Sequence, residues 1–361
     1  MDFQLTPDAL MLRDMLRKFV QKDARPLEMA YFTSGALRPE EHARLRSAIE
    51  QLGLWAATVP EKFGGGGLDT VTACVIEEEL GGTFVPIELG EVPTLLYECS
   101  QEQAGRFLEP ALMGKRRAIV AAREPGAVRP EGWSAAAWLD GDRHRLRGKK
   151  AFVGTPAGDD FFLVLARAPE GLSAFVLEQG TEGMAILPGG VLALEDCAAS
   201  ILGQPGHALS AHRDEAARAW IRLGARYVGM ADRLRQMALE HASDWVSLGE
   251  PLSIRPAIQR MLAESSVDVE SARWLVYHAA WLADRGETLR LAAAQARLGS
   301  GEMLQRTIDR VAMIYGGPGP TPEILPQRMA RTAVPPETLE LALEYARSAI
   351  VAEVLSPRRE R

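Results

Sequence analysis

Cysteine is scarce in this chain. Cys74, Cys99 and Cys197 are the only three in 361 residues, odd in number and scattered. They form no metal-ligand spacing and read as reduced, buried thiols of a cytosolic protein. Histidine is almost as sparse. The six residues make no His-x-x-x-His or Glu-paired cluster, so no metal site is expected. Long apolar runs are missing, and none approaches the ~20 residues that cross a bilayer. Positive charge is outnumbered, 41 Lys and Arg against 48 Asp and Glu, for a net charge of −7. Nucleic acid and anionic membrane surfaces are therefore not expected partners. The N-terminus holds Asp2 and Asp8 and no basic segment, so it does not read as a signal peptide. Repeats and low-complexity segments are absent. Only Pro357 to Arg361 reads as a frayed basic tail.

What is present is ordinary for a globular chain: 47% apolar and 25% charged residues, with length for two or three packed units. Residues 1–115 read as helical. Leu10, Arg13, Met15, Phe19 and Val20 recur at helix-like spacing until Pro26, Glu41–Leu52 is periodic, and Thr70–Leu80 ends at Gly81-Gly82. The glycine run 64–67 fits either a loose turn or a substrate-lining loop. Residues 116–205 change to short β pieces. Ala135–Leu139, Asp140-Gly141 and His144–Leu146 read as a hairpin, while Phe161–Ala166 and Ser173–Leu177 are apolar runs of strand length. Residues 206–361 return to helix with four apolar stripes. These are Ile221 to Ala238, Ile258 to Ala279, Leu298-Gly301-Leu304-Ile308-Val311-Ile314, and Leu339-Leu343-Ala346-Ile350. The pattern predicts an α+β, mainly α, fold: an N-terminal helical domain, a small middle β-barrel and a C-terminal four-helix bundle. Trp274, Leu275, Trp281 and Leu282 make one C-terminal helix apolar beyond a single stripe, which predicts an oligomer.

The most specific stretch is Met313-Ile-Tyr-Gly-Gly-Pro-Gly-Pro-Thr-Pro-Glu-Ile-Leu-Pro-Gln-Arg328. Gly316, Gly317 and Gly319 let the backbone turn sharply and approach a ligand closely. With Thr321-x-Glu323, Arg328 and Arg331, the stretch resembles the C-terminal signature of the acyl-CoA dehydrogenase family. The resemblance runs through nearly the whole chain. Leu12 to Val20 is similar to the family's first helix. Val59-Pro-Glu-Lys-Phe-Gly and Glu77-Glu-Glu-Leu-Gly-Gly resemble its next loop and helix. Gly148-Lys-Lys-Ala-Phe-Val resembles its middle-domain Gly-x-Lys segment, and Leu248-Gly-Glu-Pro-Leu its C-terminal helix–loop–helix.

The resemblance implies FAD as cofactor, an acyl-CoA substrate, and an electron-transfer flavoprotein or similar acceptor. Such a chain acts in fatty acid or steroid side-chain catabolism. In the family a glutamate takes the α proton while the flavin accepts the β hydride. That glutamate belongs to a Glu-Gly-Thr motif. Counting 24 residues on from Gly316 places Glu340 there, and Glu337 is the fallback if a deletion precedes it. Pro335-Pro336 predicts a helix start that carries Glu340 in its second turn. The same Glu337, Glu340 and Glu344 equally fit a solvated acidic helix face. The alternative family position, on the first long C-terminal helix, matches Ala219.

The implied flavin contacts depart from the family pattern. Its Thr-Glu-Pro-x-Ala-Gly-Ser-Asp loop matches Arg123-Glu124-Pro125-Gly-Ala-Val-Arg129-Pro130. Its Trp-Ile-Thr matches Phe152-Val153-Gly154, with Thr155 one place late. Its Arg-x-x-Phe-Gly, which reaches a neighbouring subunit's FAD, matches Trp245-Val-Ser-Leu-Gly249, and Met313 replaces a glutamine. Each lost charge-assisted contact costs ~1.5–3 kcal/mol, or about one to two decades of affinity. Arg123 and Arg129 suit phosphate and offset part of this, or are surface loop charge. Three readings follow: a homo-oligomeric dehydrogenase, a non-catalytic or partner subunit paired with a paralogous chain, and other flavin chemistry on the same fold.

Overall fold

A computed structural model describes residues 4–127, 130–151, 153, 156, 158–333 and 336–355, with 332–333 and 336–342 described by their backbone alone. The helices begin α1 (Pro7–Phe19), α2 (Glu28–Ser34), α3 (Pro39–Gln51), α4 (Thr70–Leu80), α5 (Gln101–Gln103) and α6 (Glu109–Leu112). Seven strands follow: β1 (Ala118–Ala121), β2 (Ala136–Asp140), β3 (Arg143–Lys150), β4 (Phe161–Ala168), β5 (Gly171–Glu178), β6 (Met184–Leu187) and β7 (Val191–Leu202). Then come α7 (Ala208–Asp244), a hairpin of β8 (Val246–Ser247) and β9 (Glu250–Pro251), α8 (Pro256–Asp284), α9 (Arg290–Tyr315), α10 (Leu325–Ala333) and α11 (Pro336–Val354). The chain clusters into two compact units, each assembled from separated segments. One is Met1–Gly53, Leu68–Glu88 and Ala217–Arg361; the other is Leu54–Gly67 and Leu89–Ala216.

The first unit is all helix apart from the small hairpin. Its α1 starts at Thr6, whose hydroxyl accepts the Ala9 amide. Sequence spacing put Leu10 and Met15 on the inward face of α1. Phe19 and Val20 are buried as expected, but Ala9 and Leu16 are the inward residues earlier in the helix, and Leu10 and Met15 are over a third exposed. Pro26 does not stop the run. A π turn at Val20–Ala24 and a 3-10 turn at Arg25–Leu27 carry the chain into α2, since a proline early in a new turn has no amide to satisfy. In α7 the expected stripe holds: Ile221, Ala225, Val228, Ala231, Leu234 and Ala238 are at most 1% exposed. In α9 the expected stripe is buried at Gly301, Leu304, Val311 and Ile314, and the buried face is wider than expected. Leu298 and Ile308 are only partly buried, while Ala293, Ala296, Arg297, Ser300 and Thr307 are inside as well. Small residues let the neighbouring helices come close there, and three polar side chains accompany them.

Helix α4 is the tie of this unit. Its three glutamates reach three other helices: Glu77 to Arg226 of α7 at 2.7 Å, Glu78 to Arg273 of α8 at 2.9 Å, and Glu79 to Arg17 of α1 at 2.7 Å. Burial raises the Glu78 carboxyl above its ordinary value, partly opposed by Arg273 and Tyr277. The crossing with α7 is tight enough that a Cβ on Gly229 would lie 1.7 Å from the Glu78 carbonyl oxygen. At the other end Asp69 caps its own helix by accepting from the Thr72 amide at 2.7 Å. The Asp284 carboxylate, at the end of α8, accepts from the Thr70 and Val71 amides at 2.6 and 3.0 Å. Two otherwise orphan donors are thereby satisfied across the chain.

The second unit is a small closed barrel with helical cover. β2 and β3 form the expected hairpin, with Asp140 paired to Arg143 around Gly141 and Asp142. The order continues β3–β7–β5–β4, and β4 pairs in parallel with β1 at Ala118–Phe161 and with β2 at Ala136–Arg167, which closes the ring. Phe161 to Ala166 is apolar throughout because both faces are covered. Phe162, Val164 and Ala166 pack inside with Phe175 and Leu194, while Phe161, Leu163 and Leu165 pack outside under Leu96, Phe107 and Leu108. The glycine run 64–67 folds back on its own unit: Gly66 and Gly67 donate to the carbonyls of Ala56 and Val59.

Asp284→Ala should leave two α4 amides unsatisfied and lower stability by about 1–2 kcal/mol, the cost of a lost cap. Urea denaturation followed by circular dichroism measures it, and an unchanged midpoint would show that water replaces the carboxylate at no cost.

Candidate functional site

In the barrel unit the candidate residues gather where β1 and β3 end. Glu124 to Ala127 is a tight turn, with Ala127 donating to the Glu124 carbonyl at 3.3 Å, Pro125 second and Gly126 third at φ +73°. Those residue types at those positions are what a type II turn demands. The turn is fixed from behind. The Glu124 carboxylate accepts from the Ser134 amide at 2.6 Å, the Ala135 amide at 2.9 Å and Lys150 Nζ at 2.8 Å. Lys150 has no exposed surface and also donates to the Ala122 carbonyl. Burial pushes Glu124 up, yet Lys150 and the two amides together hold it below its ordinary value; burial lowers Lys150, opposed by Glu124. Arg167 closes the loop from outside by donating to the carbonyls of Trp133, Pro130 and Glu131. Of the sequence candidates here, Glu124 is thus committed to holding the loop. Arg123 sits at its root, where its carbonyl accepts the Ala151 amide. Val153 is buried and donates to the Gly190 carbonyl at 2.9 Å. Phe152, Thr155 and Arg129 lie outside the described residues.

His212, near the start of α7, joins this cluster without any signal in the sequence. Its ring centroid is 5.8 Å from that of Trp133, and Lys150 Nζ is 5.2 Å from the Trp133 ring. Burial and then the charges of Arg123, Lys150 and Arg213 lower its pKa to about 4. Trp133 is itself buried, and its Nε1 has no partner among the described residues.

In the helical unit α9 ends at Tyr315 and the chain turns at Gly316, φ +69° and ψ −133°. Gly316 donates to the Met313 carbonyl and Gly319 to the Gly316 carbonyl. Gly319 is required by contact, since a Cβ there would lie 1.9 Å from the Ala312 carbonyl oxygen. Gly317 has neither a positive φ nor any atom within 4 Å of an added Cβ, so packing does not demand it. Arg331 donates to the Pro320 carbonyl at 3.0 Å and Arg328 to that of Pro322, so both arginines brace the loop. Helix α11 begins at Pro336, which puts Glu337 in its first turn and Glu340 in its second. Their side chains lie outside the description. Ala219, on α7, brings no carboxylate. The stretch Trp245–Gly249 forms the β8–β9 turn, with Leu248 and Gly249 at φ +56° and +83°, and it leaves Trp245, Val246 and Leu248 exposed.

The comparisons agree with this architecture. Residues 6–115 match the acyl-CoA dehydrogenase N-terminal domain and residues 216–355 the acyl-CoA dehydrogenase C-terminal domain. The chain is 28% identical to (R)-benzylsuccinyl-CoA dehydrogenase of Thauera aromatica, over 99% of this chain and 97% of that one. Its fold is similar to butyryl-CoA dehydrogenase from Megasphaera elsdenii, with a TM-score of 0.83, 24% identity, and coverage of 98% and 100% of the two chains. It is also similar to the FAD complex of PigA, with a TM-score of 0.86, 21% identity, and coverage of 98% and 99%. The protein belongs to the acyl-CoA dehydrogenase family.

Lys150→Ala would strand the Glu124 carboxylate. It should cost about 3–5 kcal/mol of stability, as breaking a buried pair does; a loss under 1 kcal/mol by chemical denaturation would mean the pair is wet. Because His212 titrates lower when folded, the unfolded chain takes up its proton first. Stability should therefore fall as pH drops from 6.5 toward about 4. In His212→Gln that part of the pH slope should vanish, and an unchanged slope would assign it elsewhere.

Proposed function

We propose that this protein is an FAD-dependent acyl-CoA dehydrogenase, oxidising an acyl-CoA thioester at its α and β carbons. The observation that carries the reading is full-length similarity to a benzylsuccinyl-CoA dehydrogenase, coupled with stiffened backbone turns where the family holds flavin. The residues fit the cofactor. A Cβ added at Gly126 or Gly317 would meet nothing within 4 Å, so both turns present bare peptide groups to open space. Such turns suit phosphate oxygens and ring edges. Arg123, with Arg129 in the same loop, would replace the family's hydroxyls by charge. Phe152, Val153 and Thr155 would line the ring. Gly316, Gly317 and Gly319 would reach, through backbone, the FAD of a neighbouring subunit. FAD when bound supplies the hydride acceptor.

The rest falls to this chain. Glu340 is assigned the removal of the α proton, and Glu337 stands behind it. A base must come within hydrogen-bonding reach of the α carbon, and Glu340 stands in the sequence at the family's spacing from Gly316. The half-exposed Trp274, Leu275 and Trp281 of α8 support burial of that face against another subunit. An electron-transfer flavoprotein or similar acceptor would take the electrons, and a cytoplasmic location suits the free thiols.

A second reading is favoured by the β8–β9 turn. Where the family presents an arginine, this chain presents exposed Trp245, Val246 and Leu248, and Met313 is exposed as well. That surface fits a partner subunit of a heteromeric dehydrogenase, which completes its sites with a paralogous chain.

Glu340→Gln keeps the shape and removes the basic carboxylate. Exchange of the acyl-CoA α proton into deuterated solvent, followed by proton NMR, should slow by about 100-fold or more. Unchanged exchange would remove Glu340 from the mechanism, and the same measurement on Glu337→Gln would decide the fallback.

A further inference from the structure

Inside the helical unit one cation has no visible counter-charge. Arg297 projects from the inner face of α9 and is 2% exposed. Its guanidinium carbon stands 4.8 Å from the ring centroid of Tyr227 on α7, and Nη2 is 3.4 Å from the Tyr227 hydroxyl, itself a long contact. Nε and Nη1 have no hydrogen-bond partner among the described residues. The polar neighbours on its own helix do not help. Ser300 donates its hydroxyl hydrogen to the Arg297 carbonyl and Thr307 to the Met303 carbonyl. Described carboxylates of α7, α8 and α9 are engaged elsewhere: Asp232 with Arg235, Asp268 with Arg306 and Arg310, and Glu302 with Arg347.

An arginine does not shed its proton, so burial cannot be relieved by neutralisation. A buried charge persists only when something of opposite sign or strong dipole meets it. We propose that Arg297 and Tyr227 form a carboxylate-binding site between α7 and α9. The carboxylate is either a free small acid or the far end of the acyl group of an acyl-CoA. A carboxylate suits the site in charge and shape. One arginine balances a single negative charge, and its planar fork binds a carboxylate by donating two parallel hydrogen bonds. The Tyr227 hydroxyl adds a third donor. Beside Tyr227, the α7 backbone at Gly224 faces the Val276 side chain, the Ser300 hydroxyl and the Ala296 carbonyl. Of these, Val276 offers apolar contact to methylene groups leading to the carboxylate. The second source of the carboxylate rests on the acyl-CoA reading above.

The test uses the full chain and an Arg297→Met variant, which keeps the volume and removes the charge. Thermal unfolding is followed in rising sodium acetate at constant ionic strength. The wild type should melt higher as acetate rises. The variant should show no acetate dependence, and in acetate-free buffer it should melt no lower than the wild type, because its buried charge is gone. A variant that melts far below the wild type in every buffer, with no acetate effect on either protein, overturns the site and makes Arg297 a packing residue. Equilibrium binding then separates the two sources. If the acyl-CoA brings the carboxylate, an acyl-CoA ending in a carboxylate should bind the variant at least tenfold more weakly. A methyl-ended acyl-CoA of equal length should bind both proteins alike. If both acyl-CoAs bind both proteins alike while acetate still stabilises only the wild type, the site belongs to a free acid. If no acyl-CoA binds either protein, the acyl-CoA reading fails and the acetate series alone decides the site.

Discussion

A single ion pair out of water organises the barrel unit. Lys150 is fully buried and its ammonium meets the Glu124 carboxylate at 2.8 Å. Neither charge would tolerate that position alone. Together they join the end of β3 to the end of β1, and the carboxylate goes on to hold the amides of Ser134 and Ala135. The loop between them has no freedom left at its ends, so the Glu124–Ala127 turn keeps one shape. Burial first, and then the charges of Arg123, the same ammonium and Arg213, lower the pKa of His212 to about 4. The pair therefore sets the geometry of the turn and adds to the field on the histidine beside it. A site built on backbone groups needs this kind of support, because peptide donors act only where the chain is fixed.

The helical unit answers the same need with distributed ties. α4 has an arginine from a different helix on each of three successive glutamates and a borrowed aspartate on its first amides. The glycine loop after α9 is braced by two arginines that spend their donors on its carbonyls. Its neighbour Tyr315 is held by stacking on His241 at 4.0 Å and by donating to the Met237 carbonyl. Glycine is required on the fold's account at positions 316 and 319, and at 317 only if something other than the protein approaches.

Much of this was legible in the sequence, and what was not has physical causes. The stripe in α7 was correct because one face of a long helix is buried along its whole length. The α9 stripe held at Gly301, Leu304, Val311 and Ile314 and was incomplete elsewhere, because close packing also buries Ala293 and Ala296 while a hydrophobicity pattern gives weight to the larger Leu298. Arg297 could not be found that way, since a charge on a helix is ordinarily read as a solvated one. The hairpin at Asp140-Gly141 was read from its turn residues. The strands β1, β6 and β7 were not, because small residues and the Glu195-Asp196 pair blur their alternation. Pro26 misled because the π turn before it leaves no trace in composition. The loop from Arg123 to Pro130 was recognised as a ligand loop by resemblance. That its glutamate faces inward, onto Lys150, required the fold. His212 lies some 60 residues further on and had no spacing to betray it.

The central claim is that backbone turns held by buried pairs suffice for flavin where the family's side chains have changed. Sedimentation velocity of the purified protein, recorded at both protein and flavin absorbance, tests this directly. The account predicts one species larger than a monomer with flavin travelling in the same boundary. A colourless monomer would contradict it.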